Sequence, residues 1–305
     1  MNMTIGSETP AAKPADIKSE IRRWWADAPM TYGETHGQTE YVLPDGTVET
    51  VEIGGVRFFE LADQRFYGWN TPLHDERGAF SKIFDYDRMV GKKVLEIGCG
   101  MGCMVMNWAK RGALVTAVDL NPTAVRQTRT RFERFGLTGD IRESDGEALP
   151  FDDNTFDYVY SWGVLHHTPG TRKALAELYR VLKPGGTFGL MLYHRHSFLH
   201  RFSIWWQEGF VNLESRFLDD LELASRYSDG AREEGNPHTW PVTRREVYRD
   251  LVPQFADVSV KVFGTDVPEI LNTWLPNLGR RLPLSWRKAL ARRAGWSLWI
   301  TGAKR

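Results

Sequence analysis

The sequence has only two cysteines, Cys99 and Cys103, among its 305 residues. Two thiols cannot build a disulfide framework, nor can they supply the ligand set of a structural zinc site. We therefore expect both cysteines to pack as small apolar side chains, and no metal site is predicted.

Long apolar runs are also lacking. No stretch reaches the ~18 consecutive apolar residues of a transmembrane helix, and the first residues show no apolar region typical of a secretory signal. Lysine plus arginine and aspartate plus glutamate each number 39, so no global charge recruits nucleic acid. We expect a cytoplasmic protein for which nucleic acid is not a partner.

The chain does contain a loop with glycine at every second position. Residues 94–97 (Val-Leu-Glu-Ile) predict a buried strand, and residues 98–102 (Gly-Cys-Gly-Met-Gly) follow it and open a helix. Such glycines let a ligand approach the backbone, and the helix start presents free N–H groups. In dinucleotide-binding loops the third glycine stands where this chain has Cys103. Glu96 would repel a pyrophosphate and suits a cationic ligand or an ammonium group.

A carboxylate also ends the next predicted strand, 115–119. Asp119 comes 17 residues after Gly102, where an open α/β sheet places an acid against a ribose diol. Asn121 and Pro122 are the N-cap and first-turn signals of the following helix.

Histidine and tyrosine follow two later strands. Strands are predicted at 140–143, 156–162 and 187–193, and a helix at 170–182. Ligands bind at the carboxyl ends of parallel strands, and histidine titrates near neutral pH. His166 and His167 are therefore candidates for proton transfer, and a purely structural role for them stays open. Tyr193, His194 and His196 are candidates for substrate contact.

The order of these motifs resembles a known family. ExGxGxG, an acidic strand end, SDGEALPFDDNTFD, VLHH and LKPGG are similar to the class I S-adenosylmethionine-dependent methyltransferases. The branch with quinone C-methyltransferases and small-molecule O- and N-methyltransferases is the most similar. The resemblance covers residues 90–193 and implies S-adenosyl-L-methionine as cofactor. It also implies an α/β fold with a doubly wound, seven-stranded, mostly parallel sheet. The fourth strand ends in Ser-Trp-Gly rather than Asn/Asp-Pro-Pro-Tyr, which argues against adenine-N6 or glutamine methylation.

The resemblance further implies roles for individual residues. Glu96 and the glycine loop would line the methionine part of the cofactor, Asp119 would bind the ribose and Asp145 the adenine amino group. The residues expected at the cofactor are Tyr32 (as a lid contact), Glu96, Gly98, Cys99, Gly100, Gly102, Asp119, Leu120, Asp145, Gly146, Glu147, Ser161 and Trp162.

The segments around this core are expected to form the acceptor pocket. An N-terminal extension and lid is predicted over 1–89, a helical cap insertion over 194–240, and the C-terminal part of the sheet over 241–305. Ten of the twelve tryptophans, Trp205 and Trp206 among them, lie outside 90–193. This suits an aromatic or apolar substrate pocket, and equally suits ordinary packing. Further elements are predicted as helices at 17–28, 74–85 and 244–252, a hairpin around 44–46, and strands at 257–263 and 296–301.

The last segment, 276–305, is basic, with eight lysines and arginines and no acid. Residues 284–294 predict a basic amphipathic helix that would lie on an anionic membrane, meet an acidic partner, or be solvated. The predicted activity is methyl transfer to an O, N or C atom of a small, partly apolar or aromatic metabolite. The alternatives are a lipid or quinone methyltransferase at a membrane surface, and a non-catalytic cofactor-binding scaffold.

Overall fold

The computed structural model describes residues 14–27, 37–43, 45–229, 235–264, 270–272 and 277–305. Two strands form an N-terminal hairpin, and seven form the central sheet. The hairpin strands are β1 (Gln38–Val42) and β2 (Val48–Glu52). The sheet strands are β3 (Lys93–Ile97), β4 (Leu114–Asp119), β5 (Asp140–Glu143), β6 (Phe156–Trp162), β7 (Leu182–Tyr193), β8 (Ala256–Phe263) and β9 (Ser297–Ala303).

The central sheet has the order β5-β4-β3-β6-β7-β9-β8. Strands β3 to β7 run parallel, and β9 lies antiparallel between β7 and β8. The predicted seven-stranded, mostly parallel sheet is therefore confirmed. The chain turns outward in opposite directions from β3 and β6, and ligands bind at such a switch point in open α/β sheets.

Helices cover the sheet and extend beyond it. The first five are α1 (Pro14–Asp27), α2 (Val56–Trp69), α3 (Val105–Lys110), α4 (Pro122–Arg134) and α5 (Thr171–Val181). Later in the chain come the π-helix Leu199–Val211, Asp220–Ser228, Arg244–Glu246 continued by the π-helical Val247–Leu251, Leu278–Arg281 and Leu284–Ala294. Short 3₁₀ turns are Thr71–Leu73, Asp87–Met89, Leu165–His167 and Glu214–Arg216. Among the helices described, none is long and apolar enough to cross a membrane.

Two predicted helix starts are confirmed in atomic detail. The Asn121 side chain accepts a hydrogen bond from the Thr123 N–H and caps α4, with proline at the first helical position. Thr243 and Glu246 form a reciprocal capping box at the start of the predicted 244–252 helix.

The predicted helix over 74–85 is wrong. The helix of this region is α2, which contains the aromatic run 65–69. Residues 75–78 instead form a turn, and Gly78 (φ 118°) and Phe80 (φ 59°) adopt the left-handed conformation. A right-handed helix cannot pass through two such residues.

Two element boundaries also differ from prediction. Strand β7 begins at Leu182 rather than 187, because Leu182 already pairs with Phe156 of β6; Gly185 (φ 73°) lies in the irregularity where this pairing shifts. Helix α3 begins at Val105, because Gly102 (φ 76°) is still part of the turn.

Alternation along β3 separates the two halves of the core. Leu95 and Ile97 pack in a cluster with α5, while Val94 packs in another with the aromatic rings of Trp108 and Tyr160. Successive strand residues point to opposite faces, so Glu96 lies on the Val94 side. A third cluster joins α2 and the hairpin to the loop residues Met101 and Cys103.

Candidate active site

A cavity of about 590 Å³ lies at the carboxyl ends of β3, β4, β6 and β7, at the switch point between β3 and β6. Helices α1 and α2 contribute one wall, and the glycine loop contributes another. The cavity brings together acidic strand ends on one side and aromatic side chains on the other.

Glu96 is the most unusual residue of the acidic side. It is 2% exposed, and its Oε2 atom has no hydrogen-bond partner. Burial raises the pKa of Glu96 to about 8, although Tyr160 and the Val105 N–H act in the opposite direction. Burying a carboxylate oxygen without a partner is costly, so a cationic group near Oε2 would stabilise the ionised form of Glu96.

The glycines of the loop have two different functions. A Cβ on Gly98 would lie 2.3 Å from Val164 Cγ2, and one on Gly102 would lie 2.9 Å from Thr128 Cγ2. These two glycines therefore permit close packing. A Cβ on Gly100 would meet nothing within 4 Å, so its backbone leaves room for a ligand.

Asp119 is held firmly beside this loop. Its Oδ2 accepts from the Gly100 N–H at 2.9 Å, and its Oδ1 accepts from the Asn121 N–H at 2.9 Å. The two oxygens of a carboxylate can accept about four hydrogen bonds, so Asp119 can also accept from a hydroxyl group. Burial raises the pKa of Asp119, and these backbone bonds oppose the effect.

Lys18 of helix α1 forms ion pairs with two acids in the segment that follows β5. Its Nζ donates to Asp145 Oδ2 at 2.7 Å and lies 2.8 Å from Glu147 Oε2. Glu147 Oε1 also accepts from the Gly170 N–H at 2.9 Å and from the Thr168 hydroxyl. Asp145 lines the cavity, whereas Glu147 connects loops behind it.

The opposite side of the cavity is aromatic and contains three polar groups. Trp162, Met191 and Trp296 line it. Tyr193 lies against Trp296, with ring centroids 4.4 Å apart, and its hydroxyl donates to Asp229 Oδ1 at 2.6 Å. His167 also lines this side.

Most residues predicted at the cofactor line the cavity, and a few do not. Gly102 packs on α4, Ser161 donates to the Ile97 carbonyl at 2.8 Å, and Tyr32 lies outside the described residues. The predicted cofactor residues that line the cavity are Glu96, Gly98, Cys99, Gly100, Asp119, Leu120, Asp145, Gly146 and Trp162.

The three predicted catalytic residues have different positions. Tyr193 lines the cavity. His166 is fully buried behind it, and burial lowers its pKa well below the ordinary value. The Nδ1 of His194 lies 3.1 Å from the Gly295 carbonyl oxygen, away from the cavity.

The structure adds residues that sequence reasoning did not assign to the site. Trp24 and Trp25 come from α1, and Asp229 and Trp296 come from two distant segments. His167, a candidate from the VLHH motif, also lines the cavity, whereas nothing in the local sequence marks Asp229.

The two tryptophans expected in the pocket, Trp205 and Trp206, do not line the cavity. Trp205 is 52% exposed. Trp206 stacks on Phe202, which stacks on Phe198, along the π-helix. The three rings of this stack are half-buried, and none of them lines the cavity.

Comparison with known proteins identifies the core. Residues 95–190 match the family model described as a methyltransferase domain. The predicted resemblance to the class I S-adenosylmethionine-dependent enzymes is thereby confirmed.

Relatives of this methyltransferase domain include enzymes named for lipid substrates. Sterol 24-C-methyltransferase ERG6B of Gibberella zeae is 32% identical over 151 residues, covering 44% of this chain and 40% of that protein. Phthiotriol/phenolphthiotriol dimycocerosates methyltransferase of Mycobacterium tuberculosis is 40% identical over 100 residues, covering 32% and 36%. The chain spans less than half the length of these relatives. A solved S-adenosylmethionine-dependent methyltransferase from Methanosarcina mazei is 20% identical with a TM-score of 0.49, covering 73% of this chain and 95% of that one.

The cavity fits S-adenosylmethionine, the cofactor of this domain type. The cofactor carries an ammonium group and a sulfonium cation, and a cation matches the unpartnered Oε2 atom of Glu96. Its ribose hydroxyls match the free lone pairs of Asp119, and the open space at Gly100 admits a ligand against the backbone.

Proposed function

We propose that this protein transfers the methyl group of S-adenosylmethionine to a small lipophilic metabolite. The single observation that carries the proposal is the continuity of the cavity, which has acidic strand ends at one end and Trp162, Tyr193 and Trp296 at the other. Such a cavity can hold a charged donor and an apolar acceptor in contact. Holding two reactants in line contributes ~7–11 kcal/mol to a displacement reaction.

The donor half of the proposed site consists of strand-end acids and the glycine loop. Glu96 would pair with the ammonium group, Asp119 with the ribose hydroxyls, and Asp145 with the adenine amino group. S-adenosylmethionine would supply the methyl group as an electrophile. The chain's own contribution is to orient the two reactants and, with Trp24 and Trp25 over the cavity, to exclude water.

The acceptor half supports an apolar substrate. Its lining is mainly aromatic and thioether, and aromatic side chains provide large apolar contact areas. Two relatives are named for sterol and phthiotriol substrates, which agrees with a lipophilic acceptor here.

Calorimetry combined with a transfer assay tests the proposal. We expect the protein to bind S-adenosylhomocysteine but not NAD. It should also transfer tritium from S-[methyl-³H]adenosylmethionine to a chloroform extract of the native host cells. Binding without any transfer would instead favour the non-catalytic scaffold.

A surface observation favours a second, finer proposal, that the C-terminal helix Leu284–Ala294 contacts an anionic membrane. Leu284 is 57% exposed and Trp286 is 65% exposed beside four basic residues of the same helix. Each surface lysine or arginine contributes about 1 kcal/mol near an anionic leaflet. Sedimentation with phosphatidylserine vesicles at low salt, and release at high salt, would support the contact; no sedimentation would refute it. The cytoplasmic location stays a prediction.

A further inference from the structure

The charged side chains that line the cavity are mostly acidic, but two are arginines. Among the described residues, the charged lining consists of Glu96, Asp119, Asp145, Asp229, Arg22 and Arg65. Arg22 is already paired, because its guanidinium bonds to the carboxylate of Glu143. Arg65 forms no ion pair with any residue that the structure describes. The cavity therefore has one cation whose charge is not matched by a described acid.

Arg65 belongs to the face of helix α2 that is turned to the cavity. Ala62, Arg65, Phe66 and Trp69 line the cavity at a helical spacing of three and four residues. Because Arg65 is also exposed, it lies at the mouth of the cavity. Its guanidinium carbon lies 5.1 Å from the centroid of the Trp69 ring. This cation–π contact helps to hold the guanidinium in place and leaves its N–H donors available.

The two acids of the same helix have other partners. Glu60 lies 3.5 Å from Arg57 Nη1, and Asp63 accepts from Arg131 Nη1 at 2.7 Å. Neither carboxylate therefore neutralises Arg65. A guanidinium carries five N–H donors in a planar fork, which matches the two oxygens of a carboxylate. The mouth of the cavity is thus suited to an anionic group of a ligand.

We propose that Arg65 binds a carboxylate group of a ligand in this cavity. The inference rests on the proposed methyltransferase function, and it adds a recognition group that this function does not specify. The carboxylate has two sources in that reaction. One is the amino-acid end of S-adenosylmethionine, and the other is an acidic group on the methyl acceptor.

Helix α2 contacts both halves of the cavity, so its arginine can serve either source. On the donor side, the Tyr67 hydroxyl donates to the Cys103 carbonyl at 2.6 Å, which fixes α2 against the glycine loop. On the acceptor side, the ring centroid of Phe66 lies 5.7 Å from that of Phe80, and Phe80 lies 5.1 Å from Trp162.

The donor arm of the test is a binding cycle measured by calorimetry without any acceptor. The ligands are S-adenosylhomocysteine and decarboxylated S-adenosylhomocysteine, and the proteins are wild type and Arg65→Met. If the carboxylate is the donor's, wild type should bind the decarboxylated ligand about tenfold more weakly. This is a low value for a charge-assisted hydrogen bond, because the arginine is exposed. Arg65→Met should bind both ligands with the weaker affinity.

The acceptor arm uses tritium transfer to the chloroform extract, either untreated or treated with diazomethane, which converts carboxylic acids to methyl esters. If the carboxylate is the acceptor's, wild type should methylate the treated extract about tenfold less efficiently. Arg65→Met should show a KM for the untreated extract raised about tenfold, and its Kd for S-adenosylhomocysteine should equal that of wild type.

The matched control is Arg57→Met. Arg57 is an arginine of the same helix, but it pairs with Glu49 and does not line the cavity. Its variant should equal wild type in both arms. Arg65→Lys keeps the charge without the planar fork, so it should recover part of the loss. Arg65 is exposed, so we expect thermal melts of Arg65→Met and wild type to coincide.

The outcomes separate the two proposals. The inference is overturned if wild type binds both donor ligands equally and methylates both extracts equally. It is also overturned if a preference for the carboxylate persists in Arg65→Met, or if Arg57→Met loses as much as Arg65→Met. No binding of S-adenosylhomocysteine by wild type would overturn the proposed function and this inference with it. Binding without transfer would overturn the proposed function alone, and the donor arm would then decide the inference by itself.

Discussion

Ligand binding should depend on pH through Glu96, because its pKa of about 8 keeps this carboxyl protonated at neutral pH in the free protein. An ammonium group in the cavity favours the ionised form. The ionised fraction of a group with this pKa rises from about 1% at pH 6 to about half at pH 8. The affinity for S-adenosylhomocysteine should therefore rise about 50-fold over this range, which is ~2 kcal/mol.

Isothermal calorimetry measures both the affinity and the number of protons released on binding. In buffers of different ionisation enthalpy, wild type should release close to one proton per ligand bound at pH 6–7. The variant Glu96→Gln should show no proton release and a flat affinity between pH 6 and pH 7.5. At pH 8 it should bind about 10–100-fold more weakly than wild type, because a charge-assisted hydrogen bond contributes ~1.5–3 kcal/mol.

The stability of the unliganded protein should fall as pH rises, whereas the affinity for the ligand should rise. The pKa of Glu96 in the folded state lies above its ordinary value of 4.5. Its stabilising contribution is therefore complete below pH 4.5 and is lost as pH rises through 8. Relative to Glu96→Gln, the unliganded wild type should lose thermal stability between pH 5 and pH 8. An affinity that stays constant with pH, with no proton released, would refute the assignment of a cation to Glu96.

Two matched substitution pairs test the packing and the pocket. Gly98→Ala places a Cβ against Val164 and should lower the free energy of unfolding by ~2–4 kcal/mol, partly restored by Val164→Ala in urea titrations. Gly100→Ala meets no protein atom and should cost ~1–2 kcal/mol from its positive φ, but weaken S-adenosylhomocysteine binding more than tenfold; unchanged binding would contradict the open space assigned to the ligand. Trp296→Ala should raise KM for the extracted acceptor at least tenfold, whereas Trp205→Ala, on the exposed face, should leave KM unchanged.

The donor half of the site could be predicted from the sequence, because its parts are local. The glycine loop and Asp119 each follow a strand directly, and parallel strands bring their carboxyl ends to one edge of the sheet. The short apolar runs at 94–97 and 115–119, each with an acid near its end, are sufficient to predict these two strands. The structure brings Glu96, Asp119 and Asp145 to one cavity for that reason.

The acceptor half could not be predicted in the same way. His167, Tyr193 and Asp229 belong to a 3₁₀ turn, a strand end and the C-cap of a helix in the insertion, and only tertiary packing brings them together. Trp205 was expected in the pocket because tryptophans are frequent outside the core. A count of tryptophans, however, does not say which of them face the cavity, and Trp205 is exposed. The left-handed backbone at Phe80 could not be predicted either, because phenylalanine rarely adopts this conformation.

Helix α1 has a consequence for the order of events during turnover. Lys18 pairs with Asp145 and Glu147, the Trp25 carbonyl accepts from Asn121, and Trp24 lines the cavity. Helix α1 is thus bonded to the segments that follow β4 and β5, and these segments contain the proposed adenosine contacts. We therefore expect a spent donor to leave only after these contacts break. Salt weakens ion pairs that are partly exposed, such as Lys18 with Asp145, so donor exchange, unlike the chemical step, should become faster as ionic strength rises.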